Sequence, residues 1–334
     1  FKIIFFQKYL FKEGKEEKME FKRIYEAKEQ ILSELSKAIV GKKEIIEMLL
    51  ATFLAGGHVL FEDYPGLGKT LIARSLASVL GLEFKRIQFT PDLLPQDITG
   101  TFVYDKDKKE FIFRAGPIFT QILLADEINR ASARTQSALL EAMQENQVTV
   151  EGQTMHLKKP FLVIATQNPI EYEGTFPLPE AELDRFAVKL SVNYPTIEEE
   201  QRILQLRKER RQDEVNLSKV LNEDEFLSMQ KAIEDVYVDE SIEKYIVSII
   251  FATRQDSNIN VGASPRGSLM LYKIARAYAA ICGRDYVIPD DIKKFINPVL
   301  SHRIMLDPSL WLKKNAAIDV LERITRTVPV PIGK

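Results

Sequence analysis

A short apolar run, His58-Val59-Leu60-Phe61, leads into Glu62-Asp63-Tyr64-Pro65-Gly66-Leu67-Gly68-Lys69-Thr70, and Leu71 to Leu80 continues at helical spacing. Strand, glycine loop, Lys-Thr and helix in that order form a phosphate cradle. Backbone N–H groups at the helix start point at an anion, and the helix dipole favours negative charge there. Gly66 and Gly68 let the loop close around phosphates, because glycine adopts positive φ at no steric cost. Lys69 would neutralise the β- and γ-phosphates, and the Thr70 hydroxyl would ligate Mg²⁺. Pro65, Leu67 and Leu71 belong to the same cradle. The strict pattern has a glycine where this chain has Asp63, so on this segment alone a plain structural turn is the competing reading.

The chain has 334 residues, enough for roughly two domains. Its 45% hydrophobic and 28% charged residues are ordinary for a globular protein, and a net charge of −2 gives no field that would gather nucleic acid or acidic lipid. Cys282 is the single cysteine, which excludes an internal disulfide or a cysteine-built metal site and fits a reducing, cytoplasmic setting. The greasy start, Phe1 to Phe6, is broken by Lys2, Gln7 and Lys8 and is too short for a signal core or a membrane span. Residues 1–18 read as an upstream extension or an expression remnant, with Met19 ahead of the first helical pattern.

Helical spacing runs from Glu20 to Lys37 and from Lys43 to Ala55, with the turn Ile39-Val40-Gly41 between them. Strands are expected at Phe84–Phe89, at Gln121–Ala125 ending in Asp126-Glu127, at Phe161–Ala165 and at Ala187–Val192. A helix is expected over Ala133–Glu145. Two hairpins stand out, Thr99–Tyr104 with Glu110–Arg114 and Gln147–Val150 with Thr154–Leu157, while Pro91–Asp97 reads as irregular. Apolar strands alternating with helices mean a parallel sheet covered on both faces, an α/β core over 19–194. After Tyr194-Pro195 only helical patterns follow, at 198–211, 223–236, 241–253, 266–282 and 290–300, so 195–334 reads as a helical second domain.

The polar residues at the strand ends carry the chemistry. Asp126 suits Mg²⁺, held through water, and Glu127 suits activation of an attacking water; a strand-to-helix cap is the plainer reading of the pair. Asn168 suits a hydrogen bond to the γ-phosphate or to that water, and equally a turn before Pro169. Arg185, after a short helix, either complements the helix dipole or reaches a neighbour's γ-phosphate as a finger. Arg266 starts a helix, where a cation is the wrong way round for the dipole and a ligand anion explains it.

Together these residues resemble an AAA+ ATPase: Lys69 and Thr70 as Walker A, Asp126 and Glu127 as Walker B, Asn168 as sensor 1, Arg185 as arginine finger and Arg266 as sensor 2. Leu124 to Ala131, Thr135 to Glu145, Ala165 to Pro169, Glu173 to Ala181 and Gly262 to Arg266 narrow the resemblance to the MoxR family, and it covers about Ile39 to Leu300. Asp63 is a variant associated with that family. The resemblance implies a P-loop NTPase core with a five-stranded parallel sheet in the order 5-1-4-3-2 and a helical lid. It also implies ATP and Mg²⁺ as cofactors, Val40 and Gly41 beside the adenine, and the two hairpins as family insertions. As partners it implies a homo-oligomeric ring, a hexamer, with protein clients and an associated protein bearing a von Willebrand factor A domain. The expected function is chaperone-like remodelling or maturation of partner proteins driven by ATP hydrolysis.

Two rivals remain at this level. One is a related motor of magnesium-chelatase or DNA-acting type; its densest basic stretch, Arg207 to Arg211, is broken by Glu209 and has no aromatic interleaving. The other is a nucleotide-gated scaffold without turnover, which the presence of both acids and both arginines does not favour. His58, His156 and His302 are too scattered for a metal centre.

Overall fold

The computed structural model describes residues 21–169, 175–311, 313 and 315–331. The expected extension at 1–18, the helix start at Glu20 and Glu173-Gly174 of the family motif lie outside those residues. Internal contacts divide the chain into two compact units: 34–45 with 56–223, and 21–33 with 46–55 and the chain from 224 onward.

Two helices come first, α1 (21–35) and α2 (Lys43–Leu54). Then follow β1 (Val59–Glu62), α3 (Lys69–Leu80), β2 (Phe84–Gln88), α4 (Pro95–Thr99), β3 (Gly100–Asp105), β4 (Glu110–Ala115) and β5 (Ile122–Asp126). The same unit continues through α5 (Ala133–Glu145), β6 (Gln147–Val150), β7 (Gln153–His156), β8 (Leu162–Gln167), α6 (Glu180–Leu183), β9 (Val188–Leu190) and α7 (Ile197–Arg210).

Five strands form one sheet in the order β2-β5-β8-β1-β9, and every pairing is parallel. Counted along the chain, this is the expected order 5-1-4-3-2. The three inner strands, β5, β8 and β1, are nearly continuous apolar runs because both sheet faces are covered there, whereas the edge strands β2 and β9 carry Lys85, Arg86, Gln88 and Lys189. Leu60, Leu123, Ala125, Val163 and Ala165 share a buried cluster with Leu139, Leu140 and Met143 of α5. Their strand neighbours Val59, Phe61, Leu124, Leu162 and Ile164 are buried on the opposite face, and α3 packs with β2 and β5. Parallel pairing sends the carboxyl ends of β1, β5 and β8 to one edge, where such sheets bind ligands.

Both expected hairpins form outside this sheet, β3 with β4 and β6 with β7. The stretch read as irregular up to Asp97 differs: α4 starts at Pro95. Proline is pre-set for a first helical position, and the Asp97 carboxylate accepts the Leu94 N–H at 2.9 Å.

The second unit holds α8 (Glu223–Ala232), whose first residue falls at the unit boundary, then α9 (Glu240–Gln255), α10 (Pro265–Ile281), α11 (Pro289–Leu300) and α12 (Ala316–Thr327). Arg284 donates two hydrogen bonds to Asp291, at 2.8 and 2.6 Å, and so ties the end of α10 to the first turn of α11. A short antiparallel pair, β10 (Ile259–Val261) with β11 (Met305–Leu306), accompanies the helices. The helix α12 lies beyond the patterns read from sequence; it buries Ala316, Val320, Leu321 and Ile324, a helical stripe in an otherwise polar segment.

Candidate functional site

The glycine loop links β1 to α3. Gly66 and Gly68 stand at φ 82° and 83°, and open space surrounds the position a Cβ would take at either. Backbone conformation, not crowding, therefore demands glycine there. Gly68 is the N-cap of α3 and supplies no side-chain acceptor, which leaves the first-turn N–H groups to a ligand. Lys69 is buried, and its ammonium donates to the carbonyls of Asp63 at 2.8 Å and Tyr64 at 3.2 Å. Burial pushes its pKa down from the usual lysine value, while the charges of Asp63, Asp126 and Glu127 oppose that shift.

Asp63, the departure from the strict pattern, has a structural task. Its carboxylate accepts from the Ser191 hydroxyl at 2.7 Å and from the Val192 N–H, both just beyond β9. A glycine could not anchor the loop to that neighbouring strand.

At the end of β5 the two acids have different partners. Asp126 accepts from Thr166 Oγ1 at 2.6 Å through one oxygen, and from Arg86 Nη2 and Nε at 2.6 and 3.1 Å through the other. Glu127 adopts a left-handed conformation, φ 55° and ψ 50°. Its N–H donates to Thr166 Oγ1 at 2.8 Å, and its carboxylate accepts from Gln88 Nε2 at 2.5 Å and Arg130 Nη1 at 3.0 Å. The following 3₁₀ turn, Ile128–Arg130, is pinned by the Gln136 amide, which donates to the carbonyls of Ile128, Ala131 and Phe176 at 3.1, 3.1 and 2.9 Å.

These groups converge. Pro65, Gly66, Leu67, Gly68, Lys69, Thr70, Leu71, Asp126, Glu127 and Asn168, spread over more than a hundred positions of the chain, line one cavity of about 420 Å³. Arg86 and Thr166 line it too and were not singled out in the sequence. The missed signal was the polar pair Arg86, Gln88 flanking buried Ile87 in an edge strand, and a hydroxyl two positions before Asn168. Val40, Gly41 and Arg185 belong to the same unit but do not line the cavity; Arg266 opens α10 in the other unit. Gly41 stands at φ 71°, a left-handed conformation that favours glycine, with the Glu199 carboxylate against the turn. Arg185 follows α6, its N–H donating to the Glu182 carbonyl at 3.1 Å.

The donor set suits a nucleotide with Mg²⁺. The hydroxyl of Thr70 and the carboxylates of Asp126 and Glu127 are hard oxygen ligands around one cavity, beside a lysine and a free helix N-terminus. Among the described residues, no three His, Cys, Asp or Glu side chains cluster as a self-sufficient metal site. Mg²⁺ held by one or two protein oxygens plus phosphate and water needs no such cluster.

Residues 58–188 match the model of the ATPase family associated with various cellular activities (AAA), and residues 251–324 match an AAA lid domain. The chain is 42% identical over 312 residues to chaperone MoxR1 of Mycobacterium tuberculosis, spanning 91% of this chain and 82% of that one. It belongs to the MoxR family of AAA+ ATPases. A second relative within reach of this family member, the uncharacterised protein YeaC of Bacillus subtilis, is 50% identical over 300 residues, or 90% of this chain and 93% of YeaC. A crystal structure of a candidate ATPase from Cytophaga hutchinsonii superposes with a TM-score of 0.89 at 40% identity, covering 96% of this chain and 99% of that one. The activity of this MoxR-family architecture is ATP hydrolysis. AAA+ ATPases assemble into oligomers and act on protein clients. Among the described residues, no helix is long and apolar enough to cross a membrane.

Proposed function

We propose that this MoxR-family protein hydrolyses ATP in the cavity at the ends of β1, β5 and β8 and uses the energy to remodel or mature partner proteins. The observation that carries the reading is the convergence of Lys69, Thr70, Asp126, Glu127 and Asn168 on that single cavity. Lys69 and the start of α3 bind the phosphates, and Thr70 with Asp126 holds Mg²⁺. Held there, the ion would supply positive charge to offset the charge that develops on the phosphate oxygens. Glu127 takes the proton from the attacking water, and Asn168 orients that water. Arg185 completes the site of an adjacent protomer in a homo-oligomeric ring, a hexamer, and Arg266 couples the γ-phosphate to the lid. Loss of those contacts on hydrolysis gives the two-state motion that does work on a client.

The similarity to chaperone MoxR1 over nearly the whole chain supports protein clients over magnesium chelation or DNA work. An associated protein with a von Willebrand factor A domain is the partner the family relationship suggests, in the reducing cytoplasm that a lone cysteine suits. Both acids in the cavity argue against a scaffold without turnover. The test is Glu127→Gln, which keeps shape and hydrogen bonding but removes the base. Phosphate release should fall about 10²–10⁴-fold with ATP still bound; turnover near that of the parent would refute the assignment.

A further inference from the structure

We propose that Thr166 is a positioning residue, whose single hydroxyl sets both strand-end acids for hydrolysis. The inference rests on the ATP-hydrolysing reading of the same cavity. Thr166 is 1% exposed, in β8, and lines the cavity. A hydroxyl has one proton to give and lone pairs to accept. The Glu127 N–H is only a donor, so it occupies an acceptor position of Oγ1, at 2.8 Å. The hydroxyl proton then goes to the Asp126 carboxylate, at 2.6 Å. No other orientation satisfies both contacts.

The need for such a device follows from the backbone. In the β5–β8 ladder Ala125 pairs with Ala165, so Thr166 comes next to Asp126 where the pairing ends. Glu127 then departs from strand geometry into the left-handed region, at φ 55°. A non-glycine residue there is strained and persists only when its surroundings over-determine it. Thr166 holds the N–H end of Glu127, while Gln88 and Arg130 hold its carboxylate at 2.5 and 3.0 Å. One oxygen atom thereby references the Mg²⁺-side acid and the water-side acid to the same strand. Without it, Asp126 loses a donor and the Glu127 N–H loses its acceptor, and the two acids no longer keep a fixed relation. A displacement of about 1 Å in such a site costs on the order of 10²-fold in rate. The bland alternative is that threonine stands here only as a β-branched strand residue, which valine would replace equally well.

The experiment compares the full chain with Thr166→Val, Thr166→Ala and Thr166→Ser. Steady-state ATPase is measured across Mg²⁺ concentrations, and ADP binding with and without Mg²⁺ is measured by calorimetry. Val and Ala should lower kcat about 10–100-fold while the KM for ATP and the Mg²⁺-free ADP affinity stay within about threefold. The Mg²⁺ concentration for half-maximal activity and the Mg²⁺-dependent gain in ADP affinity should both worsen in the same two variants. Ser, which keeps the hydroxyl, should restore kcat to within about threefold of the parent. Turnover of the Val variant within about twofold of the parent, or a Ser variant as slow as Val, overturns the proposal. If Val does not fold, the Ala–Ser comparison decides by the same criteria. An inactive parent in the assembled state would remove the hydrolysis reading itself, whereas an active parent with an active Val variant removes only the role of Thr166.

Discussion

His58 should make the α/β unit acid-sensitive over a defined window, and replacing it with a side chain that cannot titrate should remove that sensitivity. The imidazole is buried at the start of β1, edge-on to Phe161 at a ring distance of 6.1 Å. Its Nδ1 faces the Val163 N–H at 3.1 Å and can only accept from it, so the proton resides on Nε2, which donates to the Met143 carbonyl at 3.1 Å. The neutral ring thus joins β1, β8 and the last turn of α5. Burial pushes its pKa down from 6.5 to about 4, with the Met143 bond opposing the shift. The folded state therefore binds fewer protons than the unfolded state between those values. Stability is fully present above pH 6.5, falls as pH drops toward about 4, and has no further dependence on His58 below that. The complete loss is on the order of 3 kcal/mol, of which about 2 kcal/mol is gone by pH 5. His58→Gln retains one donor and one acceptor without a titrating group. Urea unfolding of parent and variant, followed by circular dichroism at pH 7, 6 and 5, separates this group from the carboxylates and from His156 and His302, which are common to both. The gap between the two proteins at pH 7 should shrink or reverse by about 2 kcal/mol at pH 5. Parallel stability profiles over that range would refute the reasoning.

Two further outcomes follow from the site. Asp63→Gly restores the strict glycine pattern, yet it should destabilise by about 3 kcal/mol, because the Ser191 hydroxyl and the buried Val192 N–H lose a charged acceptor. Thermal unfolding checks this, and an unchanged or higher midpoint would contradict the anchoring role. Arg185→Ala should lower ATPase about 10³–10⁵-fold, and mixing it with an excess of Glu127→Gln should recover activity if the finger acts between protomers. Specific activity that stays flat on dilution to the monomer would count against a shared site.

The sequence by itself determined what depends on local conformation and periodicity. The loop from Pro65 to Thr70 was legible because positive φ at Gly66 and Gly68, a strand before and a helix after are all written in adjacent residues. The parallel sheet was legible because its inner strands β1, β5 and β8, covered on both faces, are apolar along nearly their whole length, and helix α5 because its boundaries at Ala133 and Glu145 coincide with the periodic run. Asp126, Glu127 and Asn168 could be picked out because each ends such a strand. What only the tertiary structure decided are the contacts set by register between strands distant in the chain. Gln88 stands opposite Asp126 in the β2–β5 pairing, Thr166 follows the Ala165–Ala125 pair, and Asp63 meets the residues after β9 across the sheet. Local pattern carries no information on that register, since a shift of one residue would turn every one of these side chains to the other face. For the same reason the anomaly at Asp63 looked like a defect in the motif, whereas in the fold its carboxylate is the tether of the loop.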